Sequence, residues 1–194
     1  MSAIPPQPVS GGAAGGQPHR GYLSLGSNLG ERRANLQGAI DRLAEQGVAT
    51  LAASSVYATE PVGLVLDQPE FLNACIEIQC DYGPDELLTL CKQIERELGR
   101  EPGIRHGPRL IDIDLLLLFQ TDNAGRQRPL QHSSARLEVP HLELTHRRFV
   151  LVPLLELDPA LCLPGGAPLA AALEALGGAQ DVHLAGPKLS AHEL

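Results

Sequence analysis

Aromatic side chains are scarce in this sequence, which has no tryptophan and only three phenylalanines and three tyrosines. A surface that stacks RNA bases on aromatic rings is therefore not indicated, and each phenylalanine becomes a candidate for a specific role. No apolar run approaches the ~20 residues of a membrane-spanning helix. The first twenty residues also lack the apolar segment of a secretory signal. We therefore expect a cytoplasmic protein.

An excess of positive charge is absent as well. The formal net charge is −8 at pH 7 and the isoelectric point is near 5.3, which argues against a surface for nucleic acid or anionic membrane. The arginines that are present cluster at residues 100–109 and 126–148. Such local clusters suit a small anionic ligand better than a long polyanion.

Two common cysteine and glycine motifs are also missing. The cysteines form no C-x-x-C pair and no metal-site spacing, so we expect reduced thiols, with Cys91 in the apolar stripe of a helix. The glycine-rich segment at residues 22–30 has no G-K-[ST], so it is not a P-loop. There Asn28 followed by Glu31 resembles a helix cap with its acidic partner.

The most informative segment runs from Arg105 through a Gly-Pro turn into a strand of branched aliphatic residues. Inside that strand lie Asp112 and Asp114, which share one face with Cα atoms about 7 Å apart. Two carboxylates on an apolar strand repel each other and lose hydration, and a divalent cation removes that cost. Mg²⁺ prefers carboxylate and phosphate oxygens, and Arg105 and Arg109 suit phosphates. The segment therefore predicts a site for a metal and a polyphosphate.

The alternative for this segment is an exposed D-x-D on an edge strand, without function. We would favour that interpretation for the two aspartates alone. Two arginines, a Gly-Pro turn and an apolar context favour the metal and phosphate site instead.

The chain as a whole predicts a single domain of alternating strands and helices between two loose tails. The expected elements are a tail at 1–20, a strand at 22–25, a helix ending near Gly47, a strand at 48–58, a loop at 59–69, a strand at 71–80, a helix at 84–99, the aspartate strand, an irregular mobile insertion at 119–136, a helical segment at 142–157 broken at Pro153, a helix at 168–176 and a tail at 177–194. The order β-α-β-β-α-β is that of the ferredoxin-like sandwich, an α+β fold with an antiparallel sheet and helices on one face. The helices after residue 142 would be a C-terminal addition.

Two strands divide their side chains in the same way. In residues 71–80 every second residue from Leu72 is apolar, while Phe71 and Asn73 lie on the opposite face. In the aspartate strand the aliphatic set Ile111, Ile113, Leu115 and Leu117 is predicted for the core, opposite the carboxylates. We therefore expect one open sheet face that carries the ligands.

Several motifs, taken in order, resemble the 6-hydroxymethyl-7,8-dihydropterin pyrophosphokinase family. They are R-x-G-P-R-x-x-D-x-D-L-L from Arg105, YLSLGSNLG from Tyr22, TEP from Thr59, FLNA from Phe71, IE before GR at residues 94–100, VPH from Val139 and RRF from Arg147. Together they span about residues 21–176. The resemblance implies transfer of pyrophosphate from MgATP to the hydroxymethyl-dihydropterin in folate biosynthesis, with two Mg²⁺ ions. We expect a monomer, since nothing in the sequence demands more.

The resemblance also implies a role for individual residues. Asp112 and Asp114 would hold the metal and, with Arg105 and Arg109, carry out the transfer. ATP would be bound by Lys92, Glu95, Arg100, Arg105, Arg109, Leu115, Arg136, His141 and Arg147. The pterin would be bound by Thr59, Glu60, Pro61, Val62, Phe71, Asn73 and Phe149, with the two phenylalanine rings on either side of it.

Two other functions remain open from the sequence. One is a different Mg-dependent nucleotidyl- or phosphotransferase, which would bind MgATP without depending on a pterin. The other is a ferredoxin-like binding module without catalysis, for example for RNA, since this fold hosts many functions. The net charge and the scarcity of aromatics count against the second.

Overall fold

A computed structural model describes residues 18–60, 68–100, 107–122, 126–178 and 180–192. Three residues predicted for the site, Pro61, Val62 and Arg105, lie outside the described residues. The elements are β1 (His19–Ser27), α1 (Arg32–Glu45), β2 (Ala49–Ala53), β3 (Val56–Thr59), β4 (Phe71–Cys80), α2 (Pro84–Glu97), β5 (Asp112–Thr121), β6 (Gln127–Pro129), β7 (His132–Ser133), β8 (Glu138–Val139), a 3₁₀ turn (Leu144–His146), α3 (Arg148–Leu157), α4 (Leu169–Leu176) and β9 (Val182–Gly186).

The main sheet is antiparallel and has the order β6-β5-β1-β4-β3-β9, with β2 also paired to β4. The predicted strand at 48–58 is thus two strands, interrupted at Ser54 and Ser55. Both β2 and β3 pair with β4, so together they take the place of one strand in the predicted arrangement. The expected ferredoxin-like βαββαβ sandwich is confirmed.

Apolar side chains pack on both faces of this sheet. One cluster joins Leu23, Leu25, Ile76 and Ile113 to helices α1 and α2. The other joins the intervening residues, such as Tyr22 and Cys75, to α3 and α4. Because strand side chains alternate between faces, neighbouring residues of one strand pack into two different apolar clusters. Complete burial of each large aliphatic side chain contributes about 1.5–3 kcal/mol.

The second cluster corrects the expectation of an open sheet face. Helices α3 and α4 cover much of that face, and Cys75 and Glu77 on it are buried. Helix α3 continues through Pro153, which lies inside it rather than breaking it. Among the described residues, the polar side chains Asn73, Asp112 and Asp114 lie on the part of this face near the start of β4 and β5, outside the α3 and α4 cluster.

A bulge in β5 also corrects one predicted core residue. Tyr22 pairs with Leu117 and the next residue, Leu23, pairs with Leu115, so β5 has one extra residue at this point. The extra residue reverses the alternation, and Leu117 packs with the α3 cluster while Leu118 packs with the α1 and α2 cluster. Simple alternation along the sequence could not predict this.

Two segments predicted as irregular are ordered. Part of the 119–136 segment forms a hairpin with β5, where Asp122 pairs with Arg126 and Arg128 at 3.1 Å. Residues 182–186, expected in a loose tail, form β9 on the edge of β3. The tail remains attached beyond β9, since the N–H of Thr50 donates to the carbonyl of His192 at 2.8 Å. The predicted end of the folded unit at residue 176 is therefore wrong.

The cysteines behave as expected. All four are free, and Cys75, Cys80 and Cys91 are buried. Burial raises the pKa of Cys80 to about 11 and that of Cys91 to about 12, which keeps both thiols protonated. Within the described part of the chain, no helix combines the length and apolar character needed to cross a membrane.

Candidate active site

The site begins as one row of residues across three strands. Gly26 of β1 pairs with Asn73 of β4 on one side and with Asp112 of β5 on the other. Residues directly opposite each other in a sheet point to the same face, so Asn73 and Asp112 stand about 10 Å apart, two strand spacings, with no side chain between them. Gly26 thus leaves a slot between a buried amide and a carboxylate.

The slot over Gly26 is narrow. A Cβ atom added to Gly26 would lie 3.2 Å from Oδ1 of Asn73 and 3.9 Å from Cδ1 of Phe71. The amide of Asn73 is oriented by Thr59, because its Nδ2 donates to the Thr59 hydroxyl at 2.8 Å. The Asn73 oxygen is therefore the atom that faces the slot. Both Asn73 and Thr59 are buried, so this hydrogen bond is shielded from water.

The carboxylates of Asp112 and Asp114 lie two residues apart at the start of β5. Their side chains are 23% and 26% exposed, so a ligand can reach them although they are largely removed from bulk water. Two partly exposed carboxylates suit the shell of Mg²⁺, which is bound by one or two carboxylates and completed by water and phosphate oxygens. Among the described residues, no group of three or more His, Cys, Asp or Glu side chains is arranged so that it could hold a metal ion by itself. The pair thus fits Mg²⁺ bound together with a phosphate ligand.

Helix α2 supports the start of β5, which is an open sheet edge. The N–H of Ile113 donates to Oε1 of Glu95 at 2.7 Å, and Nζ of Lys92 donates to the Ile113 carbonyl at 3.1 Å. These bonds satisfy backbone groups that would otherwise lack a partner. Glu95 is 1% exposed. Its position is therefore structural, and a contact with ATP remains a prediction.

Four cations surround the three carboxylates of the site. Arg100 Nη1 lies 2.5 Å from both Glu95 and Asp112, and Arg109 Nη1 lies 2.7 Å from Asp112. Lys92 Nζ lies 2.7 Å from Glu95 and 3.7 Å from Asp114. Arg147 Nη1 is 3.7 Å from the other Asp114 oxygen. Four positive charges against three negative ones leave an excess of one positive charge, which favours an anionic ligand.

These charges also decide the ionisation of the site. Burial disfavours the ionised form of Asp112, but Arg109, Lys92 and Arg100 outweigh it and hold its pKa below the ordinary value. Burial likewise opposes the charge of Lys92, yet the nearby carboxylates, Asp114 first among them, raise its pKa. Asp112 and Lys92 are therefore both charged at neutral pH.

His141 lies beside the carboxylates after the Val139–Pro140 peptide, which is cis. The backbone N–H of His141 donates to the Leu116 carbonyl at 2.9 Å, and the ring Nδ1 accepts from the backbone N–H of Glu143 at 3.1 Å. Burial lowers its pKa, opposed by Asp114 and assisted by Arg147. The neutral ring then carries its proton on Nε2, which is a hydrogen-bond donor suited to a phosphate oxygen.

Three predicted site residues lie apart from this cluster or face away from it. The side chain of Leu115 is buried in the α1 and α2 cluster, so only its backbone could meet a ligand. Arg136 is exposed in the β7–β8 turn, where Ser134 bonds Asp85 at the first turn of α2. Glu60 is exposed after β3. Phe149 is partly buried in the α3 cluster, and the Arg147 guanidinium lies 5.9 Å from its ring centre.

Sequence reasoning missed the importance of two residues, one near the end of β1 and one in the turn that follows it. Gly26 has no side chain to draw attention, although a glycine inside a strand often marks a close approach by a ligand. Asn28 was predicted to cap α1, but the cap position is Glu31 and no side chain bonds the helix there. Asn28 instead bonds residues far along the chain.

A family model and curated proteins similar to this chain name the same family. The family model for 7,8-dihydro-6-hydroxymethylpterin-pyrophosphokinase matches residues 22–159. The 2-amino-4-hydroxy-6-hydroxymethyldihydropteridine pyrophosphokinase of Bacillus subtilis is 42% identical over 137 residues, which are 70% of this chain and 76% of that protein. The protein of the same name from Methylorubrum extorquens is 43% identical over 147 residues, 75% of this chain and 87% of that protein.

Longer proteins are similar to this chain over part of their length. The mitochondrial folate synthesis bifunctional protein of Arabidopsis thaliana is 42% identical over 139 residues, which are 72% of this chain but 23% of that protein. A solved HPPK-DHPS in complex with substrates shares the fold, with a TM-score of 0.60, 12% identity and coverage of 82% of this chain and 43% of that one. The wild-type HPPK-DHPS of Plasmodium falciparum gives a TM-score of 0.59 at 13% identity, covering 84% of this chain and 45% of that one.

Proposed function

The chain belongs to the 7,8-dihydro-6-hydroxymethylpterin-pyrophosphokinase family, and we propose that it transfers pyrophosphate from MgATP to 6-hydroxymethyl-7,8-dihydropterin. The products are the pterin diphosphate and AMP, and the reaction serves folate biosynthesis. The observation that carries this proposal is the row Asn73–Gly26–Asp112. In this row the buried amide of Asn73 lies on one side of the slot, where it could bind a heterocycle, and the carboxylate of Asp112 lies on the other side, where it could bind a metal.

The acceptor half of the site is built from Thr59, Phe71 and Asn73. The Asn73 oxygen faces the slot as an acceptor for ring N–H or amino groups, because Thr59 occupies its Nδ2. Phe71 supplies an apolar plate two residues away on the same strand face. Phe149 is proposed as the opposite plate, with Glu60, Pro61 and Val62 as the outer wall. A flat, hydrogen-bonding ring system is the ligand that such a pocket accommodates.

The phosphate half is built from cations that are paired with carboxylates in the protein alone. Arg100 and Arg109 both contact Asp112, and a polyphosphate offers them competing oxygens. We expect these arginines to exchange carboxylate for phosphate when ATP binds, which releases Asp112 for metal binding. Arg105, Arg136, His141 and Arg147 add further phosphate contacts, with Lys92, Glu95 and the Leu115 backbone at the nucleotide end.

Asp112 and Asp114 would hold the metal, as two Mg²⁺ ions. Bound there, Mg²⁺ would neutralise negative charge on the phosphate oxygens around the P–O bond that breaks. The side-chain chemistry supports this, since hard carboxylate oxygens are the preferred ligands of Mg²⁺.

The transfer forms one bond and breaks one bond. The pterin hydroxyl oxygen bonds to the β-phosphorus of ATP, and the bond from that phosphorus to the oxygen joining it to the α-phosphate breaks, which leaves AMP. The hydroxyl proton passes to solvent. No residue is assigned as a dedicated base, because phosphoryl transfer depends mainly on positioning and charge stabilisation. The arginines and His141 stabilise the charge that grows on the departing α-phosphate.

The proposal includes a cytoplasmic monomer that acts on these two small molecules and on neither nucleic acid nor membrane. The net charge of −8 and the four free cysteines support it. Light scattering after gel filtration tests the oligomeric state directly, with a mass near 20.6 kDa expected for one chain.

The decisive experiment incubates the protein with MgATP, with and without 6-hydroxymethyl-7,8-dihydropterin, and measures nucleotide products. AMP that forms only with the pterin is the expected result. ADP, or AMP formed at the same rate without the pterin, would overturn the assigned reaction and favour another Mg-dependent transferase.

A further inference from the structure

Asn28 lies in the turn between β1 and α1 and is 1% exposed. It does not cap the helix, whose cap position is Glu31. A buried amide must find hydrogen-bond partners for both its oxygen and its nitrogen. The partners of Asn28 lie 40, 41 and 81 residues further along the chain.

One side of Asn28 holds the phosphate end of the site. Its Oδ1 accepts from the backbone N–H of Arg109 at 2.7 Å, and its own backbone N–H donates to the Arg109 carbonyl at 3.1 Å. These two bonds fix the backbone of Arg109. The Arg109 side chain reaches Asp112 from this position, so the bonds to Asn28 determine where the guanidinium is.

The other side of Asn28 holds the acceptor end. Its Nδ2 donates to Oε1 of Gln68 at 3.0 Å and to the carbonyl of Pro69 at 3.3 Å. Pro69 precedes Phe71, the first residue of β4, by two positions. The same amide therefore fixes the segment that leads into Phe71 through its nitrogen, and the segment that leads into Asp112 through its oxygen.

We propose that Asn28 is a positioning residue that fixes the distance between the pterin-binding and phosphate-binding halves of the site; this inference rests on the proposed function. Asn28 touches neither reacting group. Its two ends can be separated by substitution, because they use different chemistry. Asn28→Asp keeps the acceptor for the Arg109 N–H but has no donor for the Pro69 carbonyl, whereas Asn28→Ala removes both interactions.

Asn35, in the first turn of α1, offers a matched control beside the turn that holds Asn28. Its Nδ2 donates to the Ser27 hydroxyl at 3.2 Å and to the Leu29 carbonyl at 2.9 Å. Asn35→Asp therefore also removes an amide donor from two nearby acceptors. Those acceptors are the last residue of β1 and a residue of the turn after it, so the change weakens the turn without releasing either half of the site.

The test measures KM for both substrates, kcat, and the melting temperature with each ligand. The ligands are 6-hydroxymethyl-7,8-dihydropterin and a Mg complex of α,β-methylene-ATP, in which the bond to be cleaved is blocked. We expect Asn28→Asp to raise KM for the pterin about tenfold, the effect of one lost buried hydrogen bond, and to change KM for MgATP less than about twofold. Asn28→Ala raises both KM values and lowers kcat, while Asn35→Asp lowers only the melting temperature.

The outcomes separate this inference from the function on which it rests. Absence of AMP formation by the unchanged protein would overturn the proposed function. If Asn28→Asp and Asn35→Asp had the same effect on both KM values and on both ligand-induced melting shifts, Asn28 would be an ordinary structural residue and the positioning role would be wrong.

Discussion

Arg109 and Asp112 are paired with each other, with Nη1 of the arginine 2.7 Å from Oδ2 of the aspartate. Arg100 occupies the other oxygen of Asp112 at 2.5 Å. Asp114 has weaker neighbours, since Lys92 and Arg147 are both 3.7 Å away. The two aspartates thus differ in the protein alone, although the proposed reaction uses both.

This asymmetry predicts different effects of two matched substitutions. Asp112→Asn and Asp114→Asn should each lower kcat by about 10³ or more, because both remove a metal ligand. Only Asp112→Asn should also destabilise the protein without ligand, by about 1–2 kcal/mol, because it removes the carboxylate partner of Arg109 and leaves Arg100 with Glu95 alone. Activity assays and chemical denaturation check the two parts. Turnover near the unchanged rate in either variant would contradict the metal assignment.

The stability contributed by Asp112 should depend on pH. Its folded pKa lies below the ordinary value of 3.8, so the ionised form stabilises the fold. That contribution is fully present above about pH 4 and is lost as the pH falls through the lowered pKa. The free energy of unfolding should therefore differ between the unchanged protein and Asp112→Asn at pH 7, and the difference should shrink towards pH 3. A difference that is constant from pH 7 to pH 3 would contradict this explanation.

Lys92 is predicted to neutralise part of the negative charge of Asp112 and Asp114 when no metal is bound. Its Nζ lies 3.9 Å from Asp112 and 3.7 Å from Asp114. Lys92→Met should lower the melting temperature in the absence of metal and increase the rise that Mg²⁺ alone produces, because the metal then replaces a missing charge. Lys188→Met is the matched control, since Lys188 is 62% exposed and pairs with Glu156 instead. An equal effect of Mg²⁺ on both variants would argue against the role of Lys92.

Thr59 is predicted to orient the pterin-binding amide. Thr59→Val keeps the shape but removes the acceptor for Nδ2 of Asn73, so the amide loses its fixed orientation. We expect KM for the pterin to rise about tenfold with little change in KM for MgATP. Thr89→Val serves as the control, because the Thr89 hydroxyl bonds the Asp85 carbonyl on the exposed side of α2. Steady-state kinetics with each substrate varied in turn would reveal the difference, and equal changes in both KM values would count against it.

Two glycines of β1 should respond differently to alanine. A Cβ on Gly21 would lie 2.7 Å from the Leu117 carbonyl oxygen, which is backbone and cannot move aside cheaply. A Cβ on Gly26 would meet the Asn73 side chain at 3.2 Å and otherwise project into the slot. Gly21→Ala should therefore lower stability by about 1–3 kcal/mol. Gly26→Ala should fold but lose pterin binding, as thermal denaturation and ligand-induced melting shifts can test; unchanged pterin binding in Gly26→Ala would refute the slot.

Much of the architecture followed from residue patterns because those patterns are local. Alternation in residues 71–80 identified β4, and Pro84 with Asp85 and Glu86 marked the start of α2, where the Glu86 carboxylate accepts the Gly83 N–H at 2.9 Å. The β-bulge at Leu116 and the strand β9 were not predictable in this way. A bulge depends on the partner strand, and β9 is mostly exposed and is stabilised by pairing with β3.

The sequence by itself determined the chemistry of the site: two carboxylates on one strand face, nearby arginines, and a Phe-Asn pair on another strand. Each is a matter of residue type and spacing along one element. Only the tertiary structure decided which groups are neighbours. The slot over Gly26, the support of Ile113 by Glu95, and the bonds of Asn28 to Pro69 and Arg109 join positions 18 to 86 residues apart. Such contacts depend on how strands and helices pack, which spacing along the chain does not specify.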